Sequence, residues 1–100
     1  MGVPSNMAFS ARFHVRLEFV DAVQQIMRAG IRETREEPGC LSIRVLTSIR
    51  DPQIFIIQSD WIDEAAFEFH AQLARTVEFV GKMEKMVDQP IEFTRARVIA

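Results

Sequence analysis

The chain has 100 residues, 48% of them hydrophobic and 26% charged, which suits one globular domain and is too little to divide between two cores. Twelve Lys and Arg against 14 Asp and Glu leave a net charge of -2 with no basic cluster, so no nucleic acid partner is expected. No apolar run approaches bilayer length, and one cysteine cannot form an internal disulfide; a soluble protein of a reducing, cytoplasmic compartment is expected, with no membrane partner.

Residues 1–6 read as a disordered leader, and residues 7–100 as the domain. The opening MGVPSNMAFSARF has neither the cationic start nor the long apolar core of a signal peptide. From Met7 the pattern alternates, with Phe9, Ala11, Phe13, Val15 and Leu17 on one face and Ser10, Arg12, His14 and Arg16 on the other, the period of a strand. Val20, Val23, Met27, Ile31 and Thr34 then recur at helical spacing, predicting an amphipathic helix over about Phe19 to Glu36. Gly30 inside it costs about 1 kcal/mol against alanine, and close approach of another backbone is the expected reason for it. Pro38-Gly39 stops the helix.

Leu41 to Ser48 and Ile54 to Trp61 are rich in aliphatic and β-branched residues, and the turn chemistry of Arg50-Asp51-Pro52-Gln53 makes them a hairpin. Asp63 is suited to cap the next helix. Phe69, Leu73, Thr76, Val80, Met83 and Val87 trace its apolar stripe, with a bend near Gln72. Asp88-Gln89-Pro90 ends it, and Ile91 to Ile99 returns to a strand. The order β-α-β-β-α-β is α+β and ferredoxin-like: a four-stranded antiparallel sheet with helices on one face. The other face would expose Leu46, Ile54 or Phe55 according to register, and so much aliphatic surface predicts a homodimer.

The segments EEPGCLSIRVL, DPQIFIIQSDWIDEAAFEFH, FVGKM and PIEFTRARV resemble the antibiotic biosynthesis monooxygenase family over nearly the whole chain, from about Phe9 to Val98. Its most specific marks here are the Glu37-Pro38-Gly39-Cys40 turn, Trp61 before Asp63-Glu64-Ala65, and His70 nine residues after the tryptophan. The resemblance implies a dimeric α+β barrel with a pocket between sheet and helices. It also implies oxidation of a small aromatic or quinol-type substrate by dioxygen, with no metal, flavin or other cofactor.

Such chemistry asks for a base with a pKa near neutrality, a donor or cation for an oxyanion, and an aromatic wall. His70 and Arg75 are the candidate catalytic residues, and Trp61, Arg44 and Phe67 the candidate substrate-binding ones. His70 has the competing reading of a histidine satisfied by a backbone group, and Trp61 that of a core residue. Arg75, five residues beyond His70, is offset from it by about 140° on an ideal helix, so the two share a pocket only if the helix breaks near Gln72. His14 lies between Arg12 and Arg16, whose charges are expected to lower its pKa in a surface role. Cys40 follows a helix C-terminus with no histidine nearby in sequence, and reads as a small structural residue rather than a nucleophile.

The chain has no tyrosine, so a mechanism with a phenolic donor is excluded. The related haem-degrading enzymes use an asparagine in the first strand and a tryptophan–histidine pair on the second helix; here Arg12, Phe13, His70 and Val80 stand near those places. No Cys, His and carboxylate cluster has metal-ligand spacing, and no glycine-rich phosphate loop is present. The alternatives to a monooxygenase are a non-catalytic dimeric binding or accessory module and an isomerase of a small carbonyl compound.

Overall fold

The computed structural model describes residues 7–100, so the expected leader at residues 1–6 lies outside it. Strand β1 (Met7–His14) leads through a 3-10 turn (Leu17–Phe19) into helix α1 (Val20–Arg35). The hairpin β2 (Cys40–Thr47) and β3 (Ile54–Trp61) follows, then α2 (Glu64–Gln72), α3 (Ala74–Glu84) and β4 (Glu92–Ala96). The strands pair antiparallel in the order β2-β3-β1-β4, a ferredoxin-like α+β fold.

Strand alternation decides which residues meet the helices. Ala11, Phe13 and Val15 join Phe55 and the helical Val23, Met27 and Met83 in the main core. A smaller cluster of Met7, Trp61 and Phe67 closes the other end of the helix-covered face. Phe55 therefore points into the core, and the open face carries Leu46, Ile54 and Ile56 between polar cross-strand pairs such as Arg44–Gln58 and Ser42–Asp60.

Each chain reversal has a local cause. Gly39 has φ +84°, a conformation that L side chains rarely adopt, and a Cβ there would stand 2.6 Å from the Cβ of Ala66. In the β2–β3 turn the Ser48 hydroxyl accepts from the amides of Arg50 and Asp51, and the Asp51 carboxylate accepts from Gln53. The Asp63 carboxylate accepts from the Ala66 amide at 2.8 Å and caps α2.

Four expectations need correction. Leu17 does not extend β1: after Val15 bridges Val87, the Arg16 amide turns to the Met86 carbonyl and Leu17 is left 69% exposed. Among the described residues no backbone from another element approaches Gly30, since a Cβ there would meet nothing within 4 Å. The bend expected near Gln72 is a complete break, so the second helical stretch is two helices separated at Leu73, whose ψ of 141° is extended. The last strand spans Glu92–Ala96 rather than Ile91 to Ile99, because only its pairing with β1 holds it and that ladder runs from Glu92 to Ala96.

Candidate functional site

Between the sheet and the helices lies a cavity of about 500 Å³. Phe9, Phe13, Phe67, Phe79 and Phe93 supply aromatic wall, with Met27 and Ile43 beside them. Phe9 packs on Phe67 with ring centroids 4.3 Å apart and on Phe93 at 5.9 Å. Polar groups reach this space at few points: His70, Arg75, Glu33, Thr34, Thr76, Ser59 and Arg95.

His70 stands in the last turn of α2 and Arg75 in the first turn of α3. The extended residue Leu73 between them removes the angular offset that a continuous helix would impose, and both side chains meet the carboxylate of Glu37. His70 Nδ1 lies 2.8 and 3.0 Å from its two oxygens, and Arg75 Nη2 lies 2.6 Å from Oε2. Arg75 Nε also reaches Glu33 at 3.2 Å. The Glu37 side chain is only 5% exposed, so the carboxylate is paired where water barely reaches it.

A carboxylate only accepts, so Nδ1 is the nitrogen that donates, and in the neutral ring Nε2 keeps the lone pair. Among the described residues no hydrogen bond engages Nε2. The ring is braced by Trp61 at 4.9 Å and Phe67 at 5.8 Å between centroids.

The other sequence candidates fall in different places. Phe67 lines the cavity. Trp61 does not: it is fully buried behind His70, its indole N–H donating to the Ser59 hydroxyl at 2.9 Å, so the expected substrate wall is a support for the site. Arg44 lies on the opposite sheet face, hydrogen bonded to Gln58 Oε1 at 3.0 Å, because alternation turns its neighbours Ile43 and Val45 toward the helices. It is excluded as an oxyanion partner within this cavity.

His14 sits remote from the cavity, between Asp88 at 2.6 Å and Asp51 at 3.4 Å. The hydrogen bond to Asp88 raises its pKa above the ordinary 6.5, the reverse of the lowering expected from its arginine neighbours. Burial, followed by the charge of Glu37, pushes the Cys40 thiol up from 9.0. Cys40 is half-buried at the start of β2, in contact with the Met7–Trp61–Phe67 cluster.

Three site residues were not among the sequence candidates. Glu37 enters the sequence reading as part of the Glu37-Pro38-Gly39-Cys40 turn that marks the family resemblance, without a role in the site; an acidic residue beside Pro-Gly is the available signal. Ser59 shares its period-two face with Ile57 and Trp61. Arg95 shares its period-two face with Phe93; it lies 5.0 Å from the Phe67 ring centroid and pairs with Glu64 at 3.1 Å and with Glu68.

Comparison with known proteins agrees with this architecture. The family profile described as Antibiotic biosynthesis monooxygenase matches residues 7–82. "Putative monooxygenase YcnE" of Bacillus subtilis (strain 168) is 25% identical over 83 residues, covering 83% of each chain. The structure of Rv0793 from Mycobacterium tuberculosis superposes with a TM-score of 0.89 at 21% identity, covering 96% of this chain and 97% of that one. A conserved protein from Methanosarcina mazei Go1 gives 0.88 at 22% identity, over 93% and 92% of the two chains. Its profile match over three quarters of its length, on this fold, makes the chain a member of the antibiotic biosynthesis monooxygenase family.

Proposed function

We propose that the protein is a cofactor-independent monooxygenase, with a flat hydroxylated aromatic of the anthrone, naphthol or quinol type and dioxygen as its substrates. The observation that carries this is a phenylalanine-lined cavity bearing a histidine whose Nδ1 is fixed by a buried carboxylate. Family membership supports the reaction class.

His70 Nε2 takes a proton from the substrate, and the Glu37 carboxylate steadies the imidazolium that results. The electron-rich anion passes one electron to dioxygen. Substrate radical and superoxide then join through a C–O bond to give a peroxide. For an anthrone-type CH₂ carbon, loss of the second hydrogen as a proton breaks the O–O bond. One oxygen stays as the carbonyl, and the other leaves as water, taking the proton returned from His70 and the proton lost from the carbon. Four electrons leave the carbon and four reduce dioxygen. Arg75, held by Glu33 and Glu37, offsets part of their negative charge, so that the forming anion meets less repulsion from those carboxylates.

An oxygen electrode tests this with hydroxylated anthrones, naphthols and quinols, in the presence of a chelator and without added flavin or haem. Uptake is expected, and His70→Ala should lower turnover by roughly 10²–10⁴-fold while leaving the circular dichroism spectrum unchanged. Micromolar binding without oxygen uptake would favour a binding module instead. Full turnover in His70→Ala would remove histidine from the mechanism.

A further inference from the structure

We propose that the Ser59 hydroxyl is the hydrogen-bond donor that receives the ionised oxygen of a phenol- or enol-type ligand, with Trp61 fixing its direction. This rests on the cavity being the site of a hydroxylated aromatic.

Ser59 lies on β3 facing the helices, in a cross-strand row with Phe9 and Ile43. It lines the cavity and is 4% exposed. Its Oγ accepts the indole N–H of Trp61 at 2.9 Å. An indole nitrogen only donates, so it occupies one lone pair of the hydroxyl and leaves the hydroxyl's own hydrogen to find an acceptor elsewhere. Among the described residues none takes it. A buried O–H without an acceptor is destabilising, so its place at an apolar cavity wall points to an acceptor that enters from the cavity.

The other buried hydroxyl and the two arginines of the cavity are already engaged, and the remaining hydroxyl, Thr76, is half-buried and has no indole to orient it. Among its buried side chains only Thr34 also carries a hydroxyl, and that hydroxyl donates to the Gly30 carbonyl. Arg75 and Arg95 are held by Glu33 and Glu37 and by Glu64 and Glu68, and both are more than two-fifths exposed. The indole that orients Ser59 also braces the His70 ring at 4.9 Å, so proton acceptor and oxyanion donor are supported by one rigid side chain. This arrangement selects an aromatic with an ionisable oxygen over the bare hydrocarbon. A hydrogen bond that strengthens as charge develops favours the anion that dioxygen must meet.

The test uses 2-naphthol and its oxygen-free counterpart naphthalene, bound anaerobically to the wild type, Ser59→Ala, Ser59→Cys and Ser59→Thr. Calorimetry should show 2-naphthol weakened about tenfold or more at a pH where it binds ionised, in both Ser59→Ala and the similarly shaped but feeble donor Ser59→Cys. Naphthalene affinity should stay as in the wild type. The pH at which bound 2-naphthol ionises, followed by its absorbance, should rise by about one unit in the same two variants and return toward the wild-type value in Ser59→Thr. Equal changes for both compounds, or an unmoved ionisation pH, would reduce Ser59 to a packing residue and overturn the proposal while leaving the cavity reading intact. If the wild type binds neither compound, both fall.

Discussion

Glu37 offers one buried carboxylate to two partners: Arg75 also reaches the exposed Glu33, but no other carboxylate is hydrogen bonded to His70 among the described residues. Glu37→Gln keeps an acceptor but removes the charge, and lets an amide N–H confront Nδ1 so that the imidazole tautomer is no longer fixed. Turnover should fall on the order of 10²-fold or more, and urea titration should show a loss of about 1–3 kcal/mol. Cys40 should remain passive, because burial first, and then the charge of that same carboxylate, raises the pKa of its thiol. Cys40→Ala should lose about 1–2 kcal/mol at most and keep its turnover, and alkylation of the wild type at neutral pH should be slow. His14 gives a pH dependence of determined sign. Its folded pKa is raised above the ordinary 6.5, so its contribution is full below that value and is lost as pH rises through the folded value. The urea midpoint should therefore decline over that alkaline-going window, and His14→Gln should remove this part of the decline. Residue type made His70 a candidate base, but its partner was hidden because Glu37 and His70 are 33 positions apart, and no local period records such a meeting. The arginines beside His14 misled for a similar reason: Asp88 and Asp51 arrive from distant turns and lie closer than its sequence neighbours suggest.

The elements followed their periods. β3 runs from Ile54 to Trp61 as its composition indicates, and α1 lies within one residue of the expected span at each end. A break near Gln72 was legible because a 140° offset separated two residues that the chemistry wanted together; its form, one extended residue at Leu73, was not. Gly30 was misjudged because a glycine in a helical pattern does not say whether backbone or empty space lies beside it. The structure shows space, at the rim of the cavity. Gly30→Ala should therefore raise stability by about 1 kcal/mol, a gain of roughly 4–8 °C in melting temperature, without a steric penalty. Scanning calorimetry would show it. Gly39→Ala should do the opposite, since a left-handed backbone and the Cβ of Ala66 both oppose the added methyl.

At the scale of the whole molecule, the sheet has one face covered by helices and one, without helices, carrying the half-buried Leu46, Ile54 and Ile56. Two such faces would exclude water from each other's aliphatic rows, and light scattering is expected to report about twice the 11.5 kDa chain mass. Ile56→Arg, in the row shared with Leu46 and Arg12, should return the mass of one chain. The face was predictable from alternation, but which aliphatic residues it holds depended on register, which Phe55 settles by entering the core. Tryptophan occurs once in the sequence, and that indole is sealed from solvent against the His70 ring. Imidazolium quenches indole emission where neutral imidazole does so far less. The ultraviolet fluorescence of the unlabelled protein is thus an optical readout of the charge on a single histidine, legible in real time as ligand, acid or base reaches the cavity.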